Sequence, residues 1–147
     1  MILTNCLGLV SVTHAILPSM VRMKKGRIIN IGSIAGEVPY PGGNVYGATK
    51  AFVHQFTNNL NSDLIGTGVM ATSIQPGLCG GTEFSEVRFK GDQEKAAAPY
   101  RGVRSLTAQD IVDAVSWVVE RPDHVTINQI TLMPNSQSFA GLKVDRC

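Results

Sequence analysis

From Ile2 to Val21 the chain has no formally charged residue, and Leu3, Leu7, Val10, Leu17 and Val21 recur at intervals of four, three, seven and four. That spacing predicts a largely buried helix over Ile2 to Val21, with Pro18 placed to bend it. Ile28, Ile29 and Ile31 then form a short β-branched run bounded by glycines, which suits a strand from Arg27 to Gly32 covered on both faces. After a polar, Gly-rich loop, Val45, Ala48, Phe52, Phe56, Leu60 and Leu64 make the apolar stripe of a second helix, which Gly66 and Gly68 end. A strand from Val69 to Gln75 follows, then the loop Pro76 to Phe84 and a polar segment from Glu83 to Leu106. Thr107 is an expected N-cap with Asp110 in the first turn. Ile111, Val115, Val118 and Val119 are the expected buried face of a helix that stops before Pro122. Ile127 to Met133 reads as a final strand, and Pro134 to Cys147 shows no clear period.

Strand, helix, strand, helix, strand is the order of an α/β fold, with a parallel sheet, right-handed crossovers and flanking helices. It also matches the later half of a doubly wound sheet. With 147 residues the chain has room for one domain and a sizeable core. No internal repeat, linker or low-complexity tract divides it.

Composition narrows the function classes. Thirteen basic against eleven acidic residues, a formal charge of +2, leave no basic footprint for nucleic acid. The uncharged opening raises the question of a membrane span. Thr4, Asn5, Ser11, Thr13, His14, Pro18 and Ser19 interrupt it, however, and no basic region precedes it as in a signal peptide. Cys6, Cys79 and Cys147 are odd in number and show no paired metal-ligand spacing, so free thiols and a cytoplasmic setting are expected, with no metal site.

The chemistry concentrates between Gly26 and Lys50. Ser33 sits at the C-terminal end of a predicted strand, the edge where open α/β sheets bind ligands. Tyr46 and Lys50 stand four apart on one helix, so phenol and ammonium share a face. A nearby cation favours the phenolate and lowers a phenol's pKa, which readies Tyr46 to trade a proton, while the Ser33 hydroxyl can donate to a substrate oxygen as charge develops. Taken singly, each has a plainer reading: a turn or cap serine, a surface tyrosine, a surface lysine.

Together, Ser33 and the Tyr46-x-x-x-Lys50 motif thirteen residues later resemble the signature of the short-chain dehydrogenases/reductases. The resemblance implies a Rossmann-like sheet and catalytic roles for Ser33, Tyr46 and Lys50, with Ser33 and Tyr46 touching substrate. It also implies that TNCLG matches the family's site for a fourth residue, Asn5, which helps hold a water beside the lysine; a helix-interface asparagine is the alternative. By the same resemblance the Pro-Gly segment lines the nicotinamide pocket. Pro76, Gly77, Leu78, Gly80, Gly81 and Thr82, together with Tyr46 and Lys50, become the expected cofactor contacts; an ordinary loop is the alternative. The segment from Glu83 to Leu106 resembles the family's substrate-covering region, or is solvated surface. Family members pair their long helices into homodimers and homotetramers.

GNVYGATKAF, PGLCGGTEFSEVRFKGD and MPNSQSFAGLKV are similar to one branch, the NADP-dependent 3-hydroxy acid dehydrogenases. That branch implies a serine, allo-threonine or 3-hydroxypropionate type of substrate interconverted with its 3-oxo acid. NADP is the implied cofactor; NAD stays open, because the residues that choose between them are absent. The resemblance spans nearly the whole chain but only the later part of a typical member. Residues 1–147 are therefore expected to be a single partial domain, the catalytic half, with Met1 an internal methionine of a longer protein and the phosphate-binding half missing. The alternative is a truncated, inactive product that acts at most as an oligomerisation module.

Three other motifs fail on context. Gly66-Thr-Gly-Val-Met-Ala71 matches G-x-G-x-x-A, but it follows a helix and precedes a strand, the reverse of a dinucleotide turn. Gly32-Ser-Ile-Ala-Gly36 is not the G-x-S-x-G elbow. His14, His54 and His124 sit in no telling context for a hydrolase.

Overall fold

The computed structural model describes residues 1–39 and 41–139. Tyr40, the end of the tail and with it Cys147 lie outside the described residues. Three parallel strands, β1 (Gly26–Ile31), β2 (Val69–Pro76) and β3 (Gln129–Leu132), lie in the order β1-β2-β3. A π-helical stretch, Leu3–Gly8, runs into α1 (Leu9–Met23), which leads to β1. Helix α2 (Asn44–Asp63) crosses from β1 to β2. The short α3 (Phe84–Arg88) and α4 (Gln93–Ala97) precede α5 (Ala108–Val119), which leads to β3. The parallel α/β architecture expected from the chain order is therefore present.

Alternation along each strand assigns the two faces. Ile28 packs with Leu60, Leu64, Val69 and Ala71, and Leu17, Met20, Val21 and Phe56 close over that cluster, so α1 and α2 share a face. Arg27 points the other way. Its guanidinium donates to Arg121 O (2.5 Å) and Pro122 O (3.2 Å), in the connection that follows α5. Thr107 and Asp110 close a reciprocal capping box at the other end of that helix.

Four expectations need correction. The first helix is not largely buried: Thr13 is its one buried residue, and Leu3 is 74% exposed. Its last turns carry the residues packed on the sheet's core cluster, Leu17, Met20 and Val21, and β1 is an edge among the described strands. The described helix from Leu3 to Met23 is long and apolar enough to cross a membrane, by length and composition. Yet Leu17, Met20 and Val21 are packed on the sheet.

The first strand is not covered on both faces either. Ile28 and Asn30 are buried against α2, but Ile31 is 44% exposed, because α5 covers β2 and only the connection after it reaches Arg27. On α2 the buried line is Thr49, Val53, Thr57 and Leu60, whereas Val45, Ala48 and Phe52 of the apolar stripe are exposed. Threonine serves on that face because its methyl packs while its hydroxyl bonds a carbonyl of the preceding turn: Thr57 to Val53 O (2.7 Å), Thr49 to Tyr46 O (2.8 Å). On α5, Val118 is fully buried and Val119 is 52% exposed. Eight residues on from Ile111, a helix has turned about 80° off the face that Ile111 and Val118 share. The polar stretch after Glu83 folds into α3, α4 and a 3-10 turn at Ala98–Tyr100.

Gly66 and Gly68 sit in the tight turn from α2 into β2 with φ of 80° and 76°. A Cβ on Gly68 would run into the Lys24 backbone, so the residue serves chain packing rather than phosphate binding.

Candidate active site

Parallel strands bring their C-terminal ends to one edge of the sheet, and the candidate residues gather there. Ser33 follows β1 by two residues with extended backbone. It caps the 3-10 turn Ile34–Gly36, its Oγ accepting the Ala35 N–H at 3.2 Å. A hydroxyl that accepts one bond still has its hydrogen to give.

Tyr46 and Lys50 lie in the first two turns of α2. The Lys50 Nζ donates to Ile31 O at 2.8 Å, which ties α2 to the last residue of β1. The same ammonium stands 5.8 Å from the centroid of the Tyr46 ring. Burial pushes the Lys50 ammonium below its ordinary pKa, because desolvation penalises the charged form.

Asn5 lies in the π-helical stretch, and such irregular turns tend to mark functional positions. Its Nδ2 donates to Thr49 Oγ1 (3.0 Å), and that hydroxyl donates in turn to Tyr46 O (2.8 Å). A chain of hydrogen bonds thus runs from the first helix to the tyrosine's backbone. A cleft of about 450 Å³ opens between the two helices and β1, with Asn5, Asn30, Ile31, Lys50 and Val53 in its wall. Asn5 and Lys50 face one space.

The Pro76 to Thr82 segment leaves the end of β2 and is pinned by its own amides. Gly77 N bonds Leu132 O (2.7 Å) and Gly80 N bonds Leu106 O (2.8 Å), while Leu78 N bonds Gln137 Oε1 (2.7 Å). Those three N–H groups hold the loop's shape. Gly81 adopts φ of 70°, and Thr82 Oγ1 accepts the Phe84 N–H. A second hollow of about 430 Å³ lies between Gly81, Thr82 and the α3–α4 region, with Ser85, Gln93 and Tyr100 in its wall.

Four residues at the site were not singled out from the sequence for their part in it. Phe84, at the start of α3, sets its ring 5.3 Å from that of Tyr46. Thr49 links Asn5 to the tyrosine. Gln75 and His54 lie behind Ser33, joined to each other at 2.8 Å. A run of polar residues inside an otherwise apolar strand, Thr72, Ser73 and Gln75, was the available signal, since all three are buried.

A family model described as short chain dehydrogenase matches residues 1–93. The chain belongs to the short chain dehydrogenase family. Among its curated relatives in that family, the NADP-dependent 3-hydroxy acid dehydrogenase YdfG of Salmonella typhi is 60% identical over 146 residues. That match takes in 99% of this chain and 59% of the relative. The serine 3-dehydrogenase of Rhizobium radiobacter is 51% identical, over 99% of this chain and 58% of the relative. A solved structure of a closed form of serine dehydrogenase complexed with NADP+ superposes with a TM-score of 0.94 at 58% identity. It covers 100% of this chain and 59% of that one. The chain therefore spans a little under three-fifths of the length of these relatives.

Proposed function

We propose that the full polypeptide is an NADP-dependent oxidoreductase that interconverts a 3-hydroxy acid of the serine, allo-threonine or 3-hydroxypropionate type with its 3-oxo acid. Residues 1–147 are read as the catalytic half of one partial domain. The observation that carries the reading is the Lys50 ammonium, half-buried, bonded to the end of β1 and 5.8 Å from the Tyr46 ring.

A half-buried ammonium beside a phenol fits the nicotinamide and ribose end of NADP. It has three N–H donors, of which Ile31 O takes one, and the others suit ribose hydroxyls. Pro76, Gly77, Leu78, Gly80, Gly81 and Thr82 would flank the nicotinamide. The amides of Gly77, Leu78 and Gly80 are already engaged, so these residues would contribute shape more than hydrogen bonds. When bound, the nicotinamide takes or gives the hydride.

The chain's own groups move the proton. Tyr46, as phenolate, takes the substrate hydroxyl proton at Oη as the carbinol hydride leaves; in reduction the phenol returns it. Ser33 donates its O–H to the substrate oxygen, steadying the charge that gathers there. Lys50 favours the phenolate, and Asn5, on the same cleft, helps hold a water that passes protons to solvent.

Lys50→Met tests the reading. NADP affinity is expected to fall about 10- to 100-fold, the worth of one charge-assisted hydrogen bond, and the remaining activity to move to higher pH. Stability moves the other way. The folded pKa of Lys50 lies below the unfolded value, so the folded chain gives up the proton first and Lys50 opposes folding most at low pH. That penalty is relieved as pH rises through the folded pKa towards the ordinary lysine value. The variant should therefore be at least as heat-stable as wild type at neutral pH while much less active. An unchanged pH–rate profile would leave Lys50 a structural cation.

A second reading, association through the long helices, is favoured by the exposed Leu3, Leu7, Val45 and Phe52. A homodimer or homotetramer follows. Sedimentation of the full polypeptide at micromolar concentration should show it, and a single monomeric species would exclude it.

A further inference from the structure

Ser33 is held from behind by a side chain. The ladder between β1 and β2 ends where Gly32 N bonds Ile74 O (2.7 Å). One residue further on, the Ser33 N–H donates to the Gln75 side-chain Oε1 at 2.7 Å. Gln75 thus continues the ladder past the point where the two backbones part. Its side chain is wholly buried. Its other end is also committed: Nε2 donates to Ser73 Oγ (3.0 Å) and to His54 Nδ1 (2.8 Å). Gly32 is part of the same arrangement, since a Cβ there would strike the Gln75 amide.

The direction of every bond follows from Ser33. A backbone N–H only donates, so Gln75 must present oxygen to it and nitrogen to His54. His54 Nδ1 must then accept, so the ring carries its hydrogen on Nε2, and Asn58, whose amide stands 3.1 Å from that atom, must turn its oxygen towards it to accept. A neutral ring on α2 thereby fixes the amide that fixes Ser33.

We infer that Gln75, clamped by His54, is a positioning residue that sets where the Ser33 hydroxyl stands at the end of β1. It contributes no chemistry of its own. For its effect on rate the inference rests on the role proposed for Ser33; for the hydrogen bond itself it does not. The expected effect is large because a misplacement of about 1 Å in a reacting constellation can cost on the order of 100-fold in rate.

In the full polypeptide, Gln75→Leu keeps the bulk and removes the acceptor. It is expected to lower kcat about 10- to 100-fold with KM within roughly twofold, the signature of an interaction used in the transition state. Exchange of the Ser33 amide hydrogen, followed by NMR, should quicken at least tenfold, as expected when a closed hydrogen bond is opened. Gln75→Glu keeps an oxygen for Ser33 and should recover most of both losses. If Gln75→Leu does not fold, the half-buried His54 supplies the second pair. His54→Leu removes the clamp and should slow turnover, whereas His54→Asn offers an acceptor where Nδ1 was and should restore it. Unchanged Ser33 exchange in Gln75→Leu, or faster exchange with unchanged kcat, would overturn the inference; so would equal losses in both members of the His54 pair. If the wild-type polypeptide turned over no hydroxy acid at all, the proposed function would fall, and the exchange measurement would still decide the Gln75 contact.

Discussion

Tyr46→Phe is expected to lower turnover of a 3-hydroxy acid by about 10²- to 10⁴-fold, the range over which a single positioned acid–base group acts. The change deletes one oxygen and leaves the ring, which sits 5.3 Å from Phe84, in place. The hydrogen-bond chain that steadies this turn of α2 runs through the Tyr46 backbone carbonyl, not its phenol, so it survives. Folding should then be close to wild type, cofactor affinity should fall far less than turnover, and the loss should fall chiefly on kcat. Steady-state rates with serine and 3-hydroxypropionate, paired with NADPH titration, make the check. Wild-type turnover by Tyr46→Phe would remove the tyrosine from the chemistry.

The 147 residues on their own should bind NADPH weaker than the full polypeptide by several powers of ten, and should be inactive. Among the described residues, neither glycine-rich loop that leaves a strand, the one after β1 or the one after β2, has the G-x-G-x-x-G spacing that opens a helix onto a pyrophosphate. Several charge-assisted hydrogen bonds of roughly 1.5 to 3 kcal/mol each are then missing. The outer edge of β1 is unpaired among the described residues, with Ile31 exposed at its end, a template for pairing with other copies. Calorimetry and light scattering on the isolated chain test both statements, and micromolar affinity would refute the first.

The strands and the long helices were legible because their periods are strong. β1 and β2 begin or end within one residue of the expected positions, and Thr107 caps α5 as its spacing predicts. Ser33, Tyr46 and Lys50 were legible too, since strand end and helix face follow from local pattern. What escaped was which apolar surface is covered. Periodicity marks a stripe on a helix but not what lies opposite, so it predicts a buried first helix, and on α2 it marks Val45 to Phe52 where Thr49 and Thr57 are the buried residues. The Gln75 contact was illegible for another reason. Polar residues in strands ordinarily face water, and only tertiary structure brings the Ser33 N–H and His54 within reach of this one.

The parallel ladders also govern how the chain can fold. Arg27 lies opposite Met70, 43 residues along the chain, and Thr72 reaches Ile127 across 55. No two strands can meet as a hairpin, and each pairing must close a long loop before any ladder bond rewards it. Helix α2, whose hydrogen bonds are local, is expected to form before β1 and β2 dock along it. Until then the first helix, apolar and uncharged as far as Val21, has no sheet to rest its last turns on. Refolding should be slow for a chain of this size, and its yield should fall as protein concentration rises, because collisions between uncovered helices compete with strand pairing.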